Sequence, residues 1–366
     1  MIIKKILITS NFYCLAVNNL KKNVIFATQS ILDALSILNR LGKENSLTLF
    51  VEDQDGVVIG TLTDGDIRRS LIAGRDINTE VKEIANRNFK YISTTSFADV
   101  AFVHDCKARG IELLPVLDCN NHLIKVINLS VQKSMLPIDA VLMAGGKGER
   151  LRPLTLETPK PLLKIGDKAI IDRNIDRLIE YGVNHISVTV NYLKEQLIEH
   201  YAQPRPSGVK VDCVAEQQFF GTIGALTLVK EFHNDTILVM NSDLLTDIDY
   251  EDFFLHFQEH DAMMSAAAIP YTISIPYGIF NLDGRNIKGV SEKPVYNHYA
   301  NAGIYLIRKE ALKYIPEGKV FNATDLIDTL AAHGQKVIRY PLTGLWIDIG
   351  TPEEFRKAQE LVKHIH

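Results

Sequence analysis

The sequence predicts an α/β protein in two parts: a mostly parallel, twisted sheet with covering helices from residue 137 onward, and a smaller α+β part before it. Three observations carry this expectation. Apolar strand-like runs alternate with helical periodicity from Ile138 onward, which implies crossover connections. Residues 20–135 repeat a helix–strand–turn–strand unit at a displacement of 66 positions. At 366 residues the chain is too long for one average domain.

In chain order, Met1 to Ala16 places Lys4-Lys5 before Ile-Leu-Ile, as a secretory leader would. Thr9, Ser10 and Asn11 break that run at once, and no small-x-small cleavage site follows. No run is long enough to span a bilayer, so the expectation is a cytoplasmic protein. The first repeat opens at Ser30, an N-cap residue, with Ile31, Leu35, Leu38 and Leu41 on one helical face. Strand Leu47–Val51, turn Asp53-Gln-Asp-Gly56 and strand Val57–Leu62 follow. The second repeat opens at Ser96, runs as a helix to about Ala108, stops at Gly110, and closes with strands Leu113–Leu117 and Leu123–Ile127. A unit of this kind cannot cover its own sheet, so each copy is expected to pack on its twin. The second part starts with a buried strand, Ala140–Met143. A helix then carries Ile171, Ile175, Leu178 and Ile179 on one face up to Gly182. Strands are expected at His185–Val190, Lys210–Val214, Thr236–Met240, Ala262–Ile269, Gly303–Ile307 and Val337–Pro341. The two domains are read as 1–136, with repeats at about 20–78 and 86–135, and 137–366.

Composition narrows the function classes. With 40 basic against 44 acidic residues the net charge is −4, so a general nucleic-acid binder is disfavoured. Four cysteines (Cys14, Cys106, Cys119, Cys213) show neither metal-ligand nor disulfide spacing and read as unpaired thiols.

Leu142-Met-Ala-Gly-Gly-Lys-Gly-Glu-Arg-Leu-Arg-Pro-Leu-Thr, continuing to Thr158-Pro-Lys-Pro161, is the most informative stretch. The strand Ala140–Met143 leads into it, and the chain turns through Gly145, Gly146 and Gly148, where backbone N–H groups can face a ligand. Arg150, Arg152 and Lys160 follow as fixed cations, which makes a site for a polyphosphate. It is not a Walker loop, since no Gly-Lys-Ser/Thr closes it, nor a dinucleotide fingerprint, since Leu151 stands where the third glycine belongs. Two carboxylates lie at strand ends, Asp243 in Met240-Asn-Ser-Asp and Asp348 in Trp346-Ile-Asp-Ile-Gly-Thr-Pro. If they converge on a triphosphate they suit Mg²⁺. Thr63-Asp-Gly-Asp66 caps the helix after it or takes part in nucleotide binding.

Residues 144–161 resemble, without a gap, the N-terminal loop of the sugar-nucleotide pyrophosphorylases, the sugar-1-phosphate nucleotidyltransferases. The resemblance implies a Rossmann-like, mixed but mostly parallel sheet and nucleotidyl transfer from a nucleoside triphosphate to a hexose 1-phosphate. It implies nucleotide contacts at Ala144, Gly145, Gly146 and Gly148, catalytic cations at Arg150, Lys160 and Lys293, and Mg²⁺ on Asp243 and Asp348. Glu292 of Ser-Glu-Lys-Pro and Asn301 of Asn-Ala-Gly are implied on the sugar. Glu216-Gln-Gln-Phe-Phe-Gly-Thr-Ile-Gly-Ala-Leu226 resembles the base-reading loop of the guanylyltransferase branch, with Glu216, Gln217, Gly221 and Thr222 as nucleotide contacts. A carboxylate or amide oxygen there suits the N–H donors of guanine, hence GTP. Many relatives carry Pro-Leu where this chain has Phe219-Phe220. The repeats resemble a tandem pair of CBS modules, a family that binds adenine nucleotides, which implies Asp66 on the ribose hydroxyls and Thr63 near the phosphate side. A shift of 66 gives Leu129 and Gln132, so the second copy lacks that pair. The relatives with such a fusion charge glucosamine-1-phosphate, mannose-1-phosphate or a similar hexose phosphate for glycan or nonulosonic-acid synthesis, and CBS pairs often self-associate into homo-oligomers. A uridylyl- or thymidylyltransferase, or a non-catalytic nucleotide sensor, are the alternatives.

Overall fold

The structure, a computed structural model, describes residues 22–42, 46–94, 100–205 and 207–363. The helix start expected at Ser96, Cys14 and the stretch Met1–Ala16 lie outside them. The chain divides into two compact units. One comprises Met1–Met135, Glu180–Gly182 and Pro206–Val209; the other comprises Leu136–Ile179, Val183–Arg205 and Lys210–His366.

The first unit is built from β1 (Val24–Phe26), α1 (Ile31–Leu41), β2 (Thr48–Glu52), β3 (Val58–Thr63), α2 (Asp64–Ile72), β4 (Ile92–Ser93), α3 (Val100–Ala108), β5 (Leu113–Leu117) and β6 (Leu123–Asn128). Ser30 caps α1: its hydroxyl accepts from the Asp33 N–H at 3.2 Å, and Asp33 accepts from the Ser30 N–H at 2.9 Å. The sheets β1-β2-β3 and β4-β5-β6 have the same plan, one parallel pair and one antiparallel pair. Even the turns match. Asp53 Oδ1 accepts from the N–H groups of Asp55 (3.0 Å) and Val57 (2.9 Å), and Asp118 Oδ1 from those of Asn120 and His122 (both 2.8 Å). The copies share a core of Phe50, Val58, Leu113 and Leu117, and the Val58 N–H donates to Asn121 O at 3.0 Å. Each therefore covers the sheet its twin leaves open.

The uniform shift of 66 needs correcting. The ladder from Thr48↔Thr63 to Glu52↔Val58 recurs as Leu113↔Asn128 to Leu117↔Leu123, a displacement of 65. The first strands pair as Ile25↔Val51 and Ile92↔Val116, a displacement of 67 on the first-strand side. The positions matching Thr63 and Asp66 are thus Asn128 and Val131, not Leu129 and Gln132. Neither supplies a Thr/Ser-x-x-Asp pair.

The second unit contains β7 (Ile138–Ala144), β8 (Lys164–Ile165), β9 (Lys168–Ala169), α4 (Ile170–Glu180), β10 (His185–Val190), α5 (Lys194–His200), β11 (Val211–Ala215), β12 (Thr236–Asn241), β13 (Leu244–Thr246), α6 (Tyr250–Glu259), β14 (Met264–Ser274), β15 (Ile279–Asp283), β16 (Asn286–Ser291), β17 (Val295–Arg308), α7 (Ala323–Ala332), β18 (Val337–Pro341), β19 (Trp346–Asp348) and α8 (Pro352–Val362). Its sheet has the order β11-β10-β7-β12-β17-β14-β18. Six strands run parallel and β17 runs against both neighbours. The reversal follows from the connection. No helix lies between β14 and β17; the chain returns through the hairpin β15–β16, so the two long strands must be antiparallel. β7, at the centre, is buried at all but one position, as a strand with both faces covered must be. No described helix is long and apolar enough to cross a membrane.

Candidate active site

The strands β7, β10, β11 and β12 end at one edge of the sheet, and the residues after them meet there. Ala144 is buried, and Gly145 follows with no room for a side chain: a Cβ would stand 2.7 Å from Glu216 Oε1 and 3.4 Å from Asn191 Cβ. The glycine run at this point is therefore a packing requirement as well as a source of exposed amides. At Gly146 a Cβ would meet nothing within 4 Å, so that face of the turn is open. The far side of the loop is tied down. Thr155, fully buried, donates from Oγ1 to Gly148 O at 2.8 Å, and Tyr192 donates to Thr155 O at 3.0 Å.

Lys160 opens a single 3₁₀ turn between Pro159 and Pro161, whose rings stiffen the backbone on either side, and is only 9% exposed. Its Nζ makes an ion pair with Asp243 and lies 3.8 Å from Asp348 Oδ1. The two acids, far apart in sequence, are joined by a short ribbon. β13 and β19 pair antiparallel with Leu244 opposite Asp348, and the Ile349 N–H donates to Asp243 O at 3.1 Å. Asp348 is held above the ordinary aspartate range, first by burial and then by the neighbouring Asp243 carboxylate. Lys160 and Arg150 pull the other way. Arg150 is exposed on the loop and reaches the Asp348 turn, where a Cβ at Gly350 would stand 2.8 Å from its Nη2.

One apolar cluster sets all four charges. Leu151, Leu163, Leu245, Ile347 and Ile349 are buried together. Leu151 is next to Arg150, Leu163 follows Lys160 by one 3₁₀ turn, and Leu245 is two residues past Asp243. Ile347 and Ile349 flank Asp348 on the strand, so period-2 alternation turns the carboxylate to the opposite side. Asn174 was not singled out in the sequence. It is 2% exposed, and its Nδ2 donates to Leu244 O at 2.8 Å, which fixes the backbone after Asp243. Its signal was an amide lying within the apolar stripe of α4.

Other expected residues sit as follows. Glu216 is 3% exposed; Oε2 accepts from the Phe220 N–H at 3.0 Å, and burial raises its carboxyl above the usual range against the pull of that amide and the Thr189 hydroxyl. It braces the turn from 216 to 220 against the glycine loop, while Gln217 is exposed at the rim. Gly221 and Thr222 lie at the start of α7. The Thr222 N–H donates to Asn322 Oδ1 at 3.3 Å, and Thr222 Oγ1 accepts from the Ala323 N–H at 2.9 Å. Their polar groups thus hold the loop. Asn301 lies where β17 passes the same sheet edge. Its Nδ2 donates to the Tyr305 hydroxyl at 2.7 Å and its Oδ1 accepts from the Gly303 N–H at 3.0 Å. Trp346, also missed, donates from Nε1 to Ala302 O at 2.8 Å and so links the Asp348 strand to this turn. Glu292 and Lys293 are both exposed beyond β16. No ion pair or hydrogen bond found among the described residues joins them to Lys160, Asp243 or Asp348.

In the first unit Thr63 and Asp66 form a capping box on α2. Asp66 Oδ2 accepts from the Thr63 N–H at 2.9 Å and its hydroxyl at 2.6 Å, and Oδ1 meets Arg69 Nη2 at 2.5 Å.

Residues 139–364 match the profile of the nucleotidyl transferase family, well over half the chain. The chain belongs to the nucleotidyl transferase family. Residues 17–73 match the CBS domain. Among curated proteins the chain is 31% identical over 224 residues to the mannose-1-phosphate guanylyltransferase catalytic subunit beta of Danio rerio, covering 59% of this chain and 62% of that protein. It is 31% identical over 230 residues to its counterpart in Dictyostelium discoideum, covering 61% and 64%. The chain thus spans under two thirds of these relatives' length. A solved structure from Bacillus anthracis, described as a candidate glucose-1-phosphate thymidylyltransferase, is 24% identical with a TM-score of 0.50 and covers 63% of this chain and 96% of its own. That likeness establishes the fold.

Proposed function

We propose that this chain transfers a nucleoside monophosphate from a nucleoside triphosphate, GTP by its loop chemistry, to a hexose 1-phosphate, giving a nucleotide sugar and pyrophosphate. The observation that carries the reading is Lys160, held between Asp243 and Asp348 beside the glycine loop. Two acids and a lysine next to an open run of backbone amides suit phosphate chemistry. They do not suit a nucleophilic mechanism, which needs a positioned Ser or Cys.

An oxygen of the sugar phosphate attacks the α-phosphorus in line, the bond from that phosphorus to the β-bridging oxygen breaks, and pyrophosphate leaves with the electron pair. No covalent enzyme intermediate is needed, so catalysis rests on position and charge. The loop from Ala144 to Gly148 receives the triphosphate. Arg150 faces the departing pyrophosphate, and Lys160 leads the sugar phosphate to the α-phosphorus. Glu292 is assigned to the sugar hydroxyls, Asn301 to the sugar ring and Lys293 to the sugar's phosphate. Glu216 fixes the base-side turn and Gln217 presents its amide to the base. Asp243 and Asp348 fit a hard divalent ion, Mg²⁺ by preference: both are oxygen donors, and Asp348 already bears the cost of a like charge beside it. When bound, that ion neutralises phosphate charge. The likenesses to mannose-1-phosphate guanylyltransferases favour mannose-1-phosphate over glucosamine-1-phosphate as the acceptor.

The test is a matrix of four nucleoside triphosphates against several sugar 1-phosphates, read by pyrophosphate release. GTP with a hexose 1-phosphate is expected to dominate. A clear preference for UTP or dTTP overturns the reading of Glu216 to Leu226, and no release with any pair overturns the activity in favour of a nucleotide sensor. For the first unit we propose an adenine nucleotide as regulatory ligand, on the CBS match and the Thr63–Asp66 pair.

A further inference from the structure

Asn301 is the amide that the sequence places on the sugar, yet most of its bonding capacity is used inside the chain. One N–H of its Nδ2 goes to the Tyr305 hydroxyl at 2.7 Å, and its Oδ1 accepts from the Gly303 N–H at 3.0 Å. These bonds hold the turn 301–303, and the Trp346 indole holds it again through Ala302 O. A second amide lies against the same turn. β12 and β17 pair antiparallel as far as Met240↔Ile304, so Asn241 comes opposite Gly303. Gly303 has φ +72°, and a Cβ there would stand 2.5 Å from Asn241 Nδ2 and 3.0 Å from its Cγ. The glycine is thus the room in which the Asn241 amide sits.

No hydrogen bond found among the described residues engages that amide, although Asn241 is half-buried. The polar side chains around it differ. Ser242 donates from Oγ to Met143 O at 2.7 Å, and Asn174 donates from Nδ2 to Leu244 O at 2.8 Å. A partly buried amide with neither end paired costs free energy that a ligand of matching polarity recovers. Its place says which ligand group that is. β12 lies between β7, which leads into the glycine loop, and β17, which carries Asn301. Asn241 ends β12 two residues before Asp243 and rests on the β17 side, the side given to the sugar. An amide offers a donor and an acceptor together. A phosphate oxygen only accepts, whereas a hydroxyl does both, so the amide matches a sugar hydroxyl better than the phosphate.

We infer, resting on the transferase reading above, that the Asn241 amide hydrogen-bonds one hydroxyl of the acceptor hexose and so selects among hexose 1-phosphates. The experiment uses the full chain, with GTP as donor and mannose 1-phosphate and its mono-deoxy analogues as acceptors, read by pyrophosphate release. Each analogue measures one hydroxyl, because a site that hydrogen-bonds a hydroxyl rejects the analogue lacking it. In Asn241→Ala the penalty for one analogue should vanish, with KM for the parent sugar phosphate raised about tenfold and KM for GTP within about twofold of wild type. Asn241→Leu fills the same space without polar atoms and should behave alike, which separates a lost hydrogen bond from an emptied volume. Melting close to the wild type verifies that each variant is folded; where Asn241→Ala melts early, Asn241→Leu carries the test. A folded variant that keeps the wild-type preference among the analogues, or one whose KM for GTP rises instead, overturns the inference while the transferase reading stands. Absence of pyrophosphate release by the wild type overturns both.

Discussion

At the scale of single residues the site is governed by an acid pair that one lysine serves. Asp348 has a raised pKa in the folded chain, so its ionised form is less favourable there than in the unfolded chain. The stability it contributes is fully present below the unfolded aspartate value of 3.8 and is lost as pH rises through the folded pKa. Asp348→Asn stays neutral at every pH. It is expected to melt higher than the ligand-free wild type at neutral pH, with the gap closing in acid below 3.8. Turnover, measured in the same samples by pyrophosphate release, should fall by about 10²–10³-fold. A lower melting point at neutral pH would contradict the burial and repulsion assigned to this carboxyl. Gly350→Ala tests the other end of the site. The added methyl meets the far end of the Arg150 side chain, a group free to move, rather than backbone. Gly350 is buried, but because the obstructing atoms belong to the exposed Arg150 side chain, melting should fall by no more than about 2–4 °C, the shift that about 1 kcal/mol produces in a unit of this size. The specificity constant for the triphosphate should drop by about tenfold as Arg150 is displaced.

At the scale of elements, a buried ionic joint fixes α4. Arg205 spans Asp172 (2.6 Å) and Asp176 (2.5 Å) from beyond α5, and Asp172 also accepts from the Tyr201 hydroxyl at 3.0 Å. Burial works against the charged guanidinium, but the two carboxylates outweigh it and hold its pKa above the ordinary value. Arg205→Met leaves Asp172 with only Tyr201 and His200 as partners, while Asp176 keeps Lys168 at 2.6 Å, and should cost about 3 kcal/mol in urea unfolding, with partial recovery on adding Asp172→Asn. The elements themselves were largely legible in the sequence. The expected strands at His185–Val190, Leu113–Leu117 and Val337–Pro341 are those observed, because an apolar run between turn residues is a local signal. The direction of β17 was not legible, since it depends on a hairpin that reads as an ordinary polar–apolar alternation. Nor was the meeting of Asp243 and Asp348. Their ribbon, Leu244–Thr246 with Trp346–Asp348, is too short to show periodicity, and its pairing is set by packing on Leu151 and Leu163. The repeat was legible, but its offset drifts from 67 to 65 between the first strand and the last, and a single shift averages the two.

At the scale of the whole molecule, one unit carries the Thr63–Asp66 cap proposed for a nucleotide and the other the glycine loop and acid pair proposed for phosphates. The matching position in the second repeat holds Asn128 and Val131, so adenine nucleotide should bind with one site per chain by calorimetry. Asp66→Asn should abolish that heat while pyrophosphate release without effector is unchanged. Two sites per chain, or a silent Asp66→Asn, would refute the assignment to Thr63 and Asp66. The β13–β19 ribbon also has a consequence for synthesis. Asp243 leaves the ribosome long before Asp348, so a nascent chain can already pair Lys160 with its first acid while the second is still being translated. The site is completed from its late side, and on the proposed mechanism an unfinished chain that folds early holds a lysine and one aspartate and is expected to be silent in pyrophosphate release.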